Sequence, residues 1–369
     1  MIDTLVSACD VFLMDNGTSV RNLADWGVRR QELRLALCQH MYGELPDTPS
    51  SQVQWKILHS GVVQTAARGL QGATSITGRV SCDGALLPSF ALQLWIPPSV
   101  GPHPVVLNGD ACWNYATDEV KAMLLQRGYI FAQFDRTQLM ADVPNKHQVN
   151  SAVDPLAETA LHLVSANYGA LAVWAWGFHR CVDVLQQLDF VRGDQITVVG
   201  HSRGGKAALL AGALDERIAV TSANNSGAAG AGSIHHLGDG AESLTALAQA
   251  FPHWLGWACT QRILQGCVPS IDMHFLKALV APRALLTTEA HGDFWANPQG
   301  TWQTHQLAKE VYQFLGCPEK VAAHYREGGH EHAIEDWRVL LDFADAVFRA
   351  TAMPMLTMWQ QKMPSDGST

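Results

Sequence analysis

Apolar residues recur at near-helical spacing over residues 22–42, at Leu23, Trp26, Leu33, Leu37 and Met41, and Gly43 and Pro46 end the run. Residues 51–63, 74–82 and 90–96 carry shorter, β-branched and aromatic stretches that predict strands, the last closed by Pro97-Pro98. They are expected to form the antiparallel edge of a mixed sheet. Strand and helix patterns then alternate. Strands are predicted at 104–107, 129–134, 195–199, 218–221, 284–288 and 321–325. Helices are predicted at 117–126, 168–188, from 206 onward, at 302–315 and at 335–348. Crossover-length connections between such strands imply the α/β class, a three-layer αβα sandwich on a mostly parallel mixed sheet. Residues 223–280 interrupt the alternation. They are Gly-rich and then helical, and are expected as a cap-like insertion over the strand ends. The whole chain, 1–369, reads as a single domain with an N-terminal extension over 1–50 and a disordered tail from Met363.

Composition narrows the function. The 369 residues are 47% apolar and carry a net charge of −9, with no basic run, so nucleic acid is not an expected partner. No apolar run reaches the length of a membrane span. The first residues lack the basic and apolar regions of a secretory leader, so a cytoplasmic protein is expected as the sequence stands. Removal of a leader would make it secreted or periplasmic. Eight cysteines are scattered without a C-x-x-C pair, and sixteen histidines are spread along the chain. Neither a metal nor another cofactor is expected. Nothing in the pattern fixes an oligomeric state.

The chemistry concentrates at residues 195–206, Gln-Ile-Thr-Val-Val-Gly-His-Ser-Arg-Gly-Gly-Lys. A buried-strand pattern runs straight into G-x-S-x-G and then a helix, the context of a nucleophile elbow with Ser202 at its tip. A serine nucleophile needs a base, and the base needs an orienting carboxylate. His330 follows the strand at 321–325 after Gly328-Gly329, and His332 is its rival. For the acid, Asp293 occupies the loop after strand 284–288. Glu289 is the alternative, and Asp293 as a simple turn cap is the bland reading. Arg203 and Lys206 lie at a helix start, where cations oppose the helix dipole. They therefore call for a partner, which an anionic substrate would supply. Trp174, Trp176 and Trp254 are expected to pack. Asp135-Arg136 reads as an ion pair near the site or a substrate contact.

These residues resemble one family. Gly200-His-Ser-Arg-Gly-Gly-Lys206 is similar to the elbow of the glucuronoyl esterases, carbohydrate esterase family 15, and further segments resemble its bacterial branch in order. They include Trp174-Ala-Trp-Gly177, Asn225-Ser-Gly227, Phe251-Pro-His-Trp254, Asp293-Phe-Trp-Ala-Asn-Pro298 and Gly328-Gly-His330. The resemblance spans roughly residues 22–349. It implies an α/β-hydrolase fold and cleavage of glucuronic acid esters, as in lignin–carbohydrate linkages, with a glucuronoxylan-derived ester as substrate. It makes Ser202 the nucleophile, His330 the base, Arg203 an oxyanion donor and Lys206 a ligand for sugar hydroxyls. Glu242 and Trp295 fall near sugar-contacting positions. One departure is plain: where many members carry the acid before Ser-Gly, this chain has Asn225, and other members place it where Asp293 lies. The run at His235-His236 also differs. A serine esterase for acetylated sugars or small aryl esters, or a catalytically weakened carbohydrate-binding relative, are the alternatives.

Overall fold

The computed structural model describes residues 10–46, 48–64, 69–84, 87–143, 167–354 and 356–358. Cys9 and the tail from Met363 lie outside them. In chain order the described elements begin with α1 (Leu23–Leu37), β1 (Val53–Val62), β2 (Thr74–Cys82), β3 (Phe90–Ile96), β4 (His103–Asn108), α2 (Asp118–Gln126) and β5 (Ile130–Phe134). There follow α3 (Ala170–Leu185), β6 (Val191–His201), α4 (Arg203–Leu214), β7 (Val220–Asn224), α5 (Leu244–Ala250) and α6 (Trp257–Leu264). The chain continues with α7 (Met273–Val280), β8 (Ala284–Ala290), α8 (Pro298–Phe314), β9 (Val321–Arg326) and α9 (Ile334–Arg349).

The nine described strands form one sheet in the order β1-β2-β3-β5-β4-β6-β7-β8-β9. The β1-β2, β2-β3 and β3-β5 pairs are antiparallel, and every pair from β5-β4 to β8-β9 is parallel. The expected antiparallel edge and parallel body are both present. Strand β6 lies inside the sheet, and its buried run from Ile196 to His201 explains the unbroken apolar pattern. Strand β7 starts two residues later than the pattern suggested. Ile218 N–H donates to Asp215 O at 3.3 Å, closing a turn, so β7 begins at Val220.

Two apolar layers cover the sheet. One holds Leu33, Leu37, Val173, Trp174, Leu209, Leu210, Phe275 and Leu276, and the other Leu124, Phe131, Leu286, Trp337, Leu340 and Phe343. Trp174 and Trp176 are core residues, as expected. Within 223–280, the first residues finish β7, while α7 is buried at every position and packs against α4, α8 and α1. Helices α5 and α6 lie between these two stretches. Among the described residues, no helix is long and apolar enough to cross a membrane.

Candidate active site

Strand β6 ends at His201 and α4 starts at Arg203, so Ser202 alone makes the turn, at φ 53° and ψ −123°. Two neighbours must give way for this. A Cβ on Gly200 would lie 2.2 Å from Gly204 O, and one on Gly204 would lie 1.9 Å from Asp110 Oδ1. Glycine is therefore required on both sides of the elbow. Asp110 braces the turn from below: its Oδ2 accepts from His201 N–H at 2.8 Å, and it pairs with Arg136. Arg136 thus forms its buried ion pair with Asp110, not with Asp135, whose Oδ1 instead accepts from Thr137 N–H and Oγ–H. Arg136 is fully buried, and Trp113 and Trp174 pack against its guanidinium, as in a structural strut.

His330 follows β9 and meets Ser202 from the far side. Its Nδ1 lies 2.5 Å from Asp293 Oδ2 and its Nε2 lies 2.9 Å from Ser202 Oγ. With Nδ1–H donating to the carboxylate, Nε2 is free to accept the serine proton. Asp293 makes both contacts that the sequence reading treated as alternatives. Its Oδ1 accepts from Ala296 N–H at 3.4 Å, capping the short turn Phe294–Ala296, while Oδ2 serves His330.

The rivals occupy different environments. His332 is stacked on Trp337, ring centroids 4.3 Å apart, and burial pushes its imidazole well below the usual histidine range. Glu289 is fully buried near the end of β8, and among the described residues neither of its oxygens has a hydrogen-bond partner. Burial raises its carboxyl well above the ordinary range, with buried Lys277 pulling the other way. Neither rival touches Ser202 or His330 by a hydrogen bond.

Asn225, where a carboxylate was the alternative, holds the histidine loop. Its Oδ1 accepts from Ala290 N–H at 2.8 Å, and its Nδ2–H₂ donates to Gly329 O at 3.4 Å and Glu331 O at 3.3 Å. These two carbonyls flank His330. Both also accept from Arg326 Nη2, at 3.5 Å and 2.5 Å. One donor just past β7 and one at the end of β9 thus hold the loop that carries His330.

Arg203 and Lys206 start α4 on the opposite wall. The Arg203 guanidinium lies 4.7 Å from the Trp254 ring centre and 4.8 Å from that of Phe251, rings stacked on each other at 3.9 Å. Its Nη1 donates to Asp142 Oδ2 at 2.8 Å. Lys206 is 3% exposed, donates to Ala228 O and lies 3.5 Å from Glu242 Oε2. Burial lowers its ammonium from the ordinary lysine range, and Glu242 opposes the shift. The cations at this helix start are therefore answered by the chain's own carboxylates, where an anionic substrate had been expected. Glu242 is itself placed by its N–H, which donates to Trp295 O at 3.0 Å, and the Trp295 side chain is exposed. His235 Nε2 bonds Ile271 O at 2.9 Å, so that departure is a tie within the scaffold. Trp254 is 2% exposed and packs as expected, yet it forms the floor beneath both cations. Asp110 and Asp142 escaped the sequence reading, because they meet His201 and Arg203 across 91 and 61 residues.

A family model described as glucuronyl esterase, fungi, matches residues 82–316. The chain belongs to the glucuronyl esterase family. The matched span contains Ser202, Asp293 and both cations and stops short of His330. A carbohydrate esterase from an unknown prokaryotic organism is 27% identical over 91% of this chain and 88% of its own length. A 4-O-methyl-glucuronoyl methylesterase of Phanerochaete carnosa is 27% identical over 88% of this chain and 75% of its own. The Podospora anserina protein of the same name is 27% identical, but this chain spans only 63% of it. Among solved structures, the glucuronoyl esterase from Caldicellulosiruptor kristjansonii superposes with a TM-score of 0.75 at 26% identity, covering 98% of this chain and 96% of that one. One from Solibacter usitatus gives 0.77 at 25% identity, covering 92% and 97%. The resemblance read from the elbow and the late histidine is borne out, as is the α/β fold. The glucuronyl esterase family is one of carboxylic ester hydrolases acting on glucuronic acid esters.

Proposed function

We propose that this chain hydrolyses alkyl or aryl esters of glucuronic acid or its 4-O-methyl form, with Ser202 as nucleophile, His330 as general base and Asp293 as its orienting acid. One observation carries the assignment: an unbroken hydrogen-bonded series from Ser202 Oγ through His330 to Asp293, on a serine held at positive φ. In the first step Oγ attacks the ester carbon and its proton passes to His330 Nε2, while Asp293 stabilises the imidazolium. The negative charge that develops on the carbonyl oxygen meets the Arg203 N–H, at a helix start without an intrahelical acceptor, and the Arg203 guanidinium. His330 then protonates the departing alcohol. Water, deprotonated by the same nitrogen, attacks the acyl-serine and releases the uronate. Lys206 and Glu242 bind ring hydroxyls, and Trp295 offers its exposed face to the sugar. The names of the curated relatives support a glucuronate ester as the substrate.

The test is an activity panel of benzyl glucuronate, its 4-O-methyl form, an acetylated sugar and p-nitrophenyl acetate, run with wild type and Ser202→Ala. The expected outcome is a preference for the uronate esters and a loss of several orders of magnitude in kcat on removal of the hydroxyl. Activity on p-nitrophenyl acetate and acetylated sugars alone would replace the uronate reading with a general serine esterase. Wild-type turnover by Ser202→Ala would remove the nucleophile assignment.

A further inference from the structure

Asp142 lies just past the short turn Arg136–Gln138, on a segment pinned from beneath by Trp174, whose Nε1–H donates to Met140 O at 2.9 Å. Its carboxylate is a three-way acceptor. Oδ2 takes Arg203 Nη1–H at 2.8 Å, and Oδ1 takes Trp254 Nε1–H at 2.9 Å and His253 Nε2 at 3.2 Å. Burial alone would raise its carboxyl, but the bonds from His253, Arg203 and Trp254 outweigh that and hold it well below the usual range. Asp142 is therefore an anion at neutral pH. Across the floor formed by Trp254, Lys206 and Glu242 repeat the arrangement of one cation beside one carboxylate.

The chemistry of ester hydrolysis gives this pairing a use. The substrate carboxyl enters as a neutral ester and leaves as a carboxylate. An unpaired guanidinium binds a free carboxylate tightly, through two parallel N–H···O bonds. A guanidinium anchored by Asp142 keeps its other N–H donors aimed at a fixed point, which serves an oxyanion held covalently on Ser202. Its net charge, which would retain a diffusible anion, is cancelled. We propose that Asp142 is a positioning residue that aims Arg203 at the oxyanion while neutralising it, so that the pocket does not hold the uronate it produces. The inference rests on the reading above that Arg203 faces the reacting carboxyl.

Three measurements test it. With wild type, inhibition of benzyl glucuronate hydrolysis by glucuronate is compared with inhibition by neutral glucuronamide. The anion is expected to bind no tighter than the amide. In Asp142→Asn, which keeps the size and an oxygen acceptor, the glucuronate Ki is expected to fall at least about tenfold while kcat falls, the amide Ki staying near wild type. Placing Asp142→Asn on an Arg203→Met background should then leave the glucuronate Ki unchanged, because the cation that would gain net charge is gone. A wild type that binds glucuronate about tenfold tighter than the amide would overturn the proposal, and that arm needs no variant to fold. So would an unchanged Ki in a folded Asp142→Asn. Failure of wild type to hydrolyse the uronate ester at all would strike the substrate reading, and the inference with it.

Discussion

The two groups of residues on either side of Ser202 in the chain's fold, one wall from β8 and β9 and one from α4, use carboxylates in opposite ways. On the β8–β9 side, in the proposed mechanism, Asp293 faces a group whose charge changes during the reaction, and its hydrogen bond to His330 is set against a proton that comes and goes. On the α4 side, Asp142 and Glu242 face the cations Arg203 and Lys206 and offset their charge. One wall responds to proton transfer, and the other is held electrically quiet while presenting donors. The same residue type thus acts as machinery or as ballast according to what it meets, which burial alone does not reveal.

The sharpest way to break this contrast is on the first wall. Asp293→Asn is expected to lower kcat on a uronate ester by about 10²- to 10⁴-fold, since the amide cannot stabilise the imidazolium. Glu289→Gln, four residues away and equally buried, should leave kcat within a few-fold, because its oxygens reach neither His330 nor Ser202 by a hydrogen bond. Steady-state kinetics on the pair decides whether position or charge matters.

Asn225→Glu comes next. A glutamate here would put an acid where many members of the family carry one. The contacts of Asn225 argue that this variant is damaging rather than activating. The Asn225 amide donates to the carbonyls on either side of His330, and a carboxylate there would face two oxygens. A loss of about 1–3 kcal/mol in unfolding free energy and a drop in kcat are expected. Denaturant melts that show a gain would mean the loop can turn to accept the acid.

On the second wall, Lys206→Ala would leave Glu242 buried and unpaired, at a cost of about 3–5 kcal/mol, so a single variant confounds binding with folding. Replacing both charges, with Lys206→Met and Glu242→Gln, avoids this. The double variant is expected to raise KM about tenfold or more for benzyl glucuronate, with p-nitrophenyl acetate turnover near wild type. Equal losses on both substrates would make the pair structural.

The smallest effect concerns pH. Burial holds His201 down to about 4 and His332 well below its usual value, so both fold as neutral imidazoles. The unfolded chain binds more protons than the folded one between about pH 4 and the ordinary histidine value of 6.5. Their contribution to stability is complete above that window and is lost as pH falls through it. His332→Phe, which keeps the stacking on Trp337, should flatten the fall in melting temperature on acidification. A slope unchanged from wild type would assign the acid sensitivity to other groups.

How far the sequence could be read follows from the range of the interactions. The elbow was legible because strand, turn and helix signals lie within about a dozen consecutive residues. His330 was legible because two glycines and a strand precede it. Asp293 emerged only as one of two acids, since nothing local tells a carboxylate facing a histidine from one sealed behind a strand. Arg203 and Lys206 were visible as cations in an unfavourable place, yet their partners Asp142 and Glu242 come from distant loops, and the sequence does not encode that meeting locally. Asn225 was read as a missing acid. That it is a clamp depends on β7, β8 and β9 ending side by side, which is a property of sheet order.

The turn at Ser202 has a consequence for how this enzyme can evolve. Its φ of 53° with ψ of −123° lies in a region that glycine enters freely and a side chain does not, so the native state stores about 1–3 kcal/mol there. Selection for thermal endurance alone would relieve that strain by placing glycine at position 202, discarding the nucleophile for a better-melting shell. The serine persists only where turnover is also demanded. The elbow is thus a point where durability and activity are in direct opposition, and stabilising changes must be sought elsewhere in the fold.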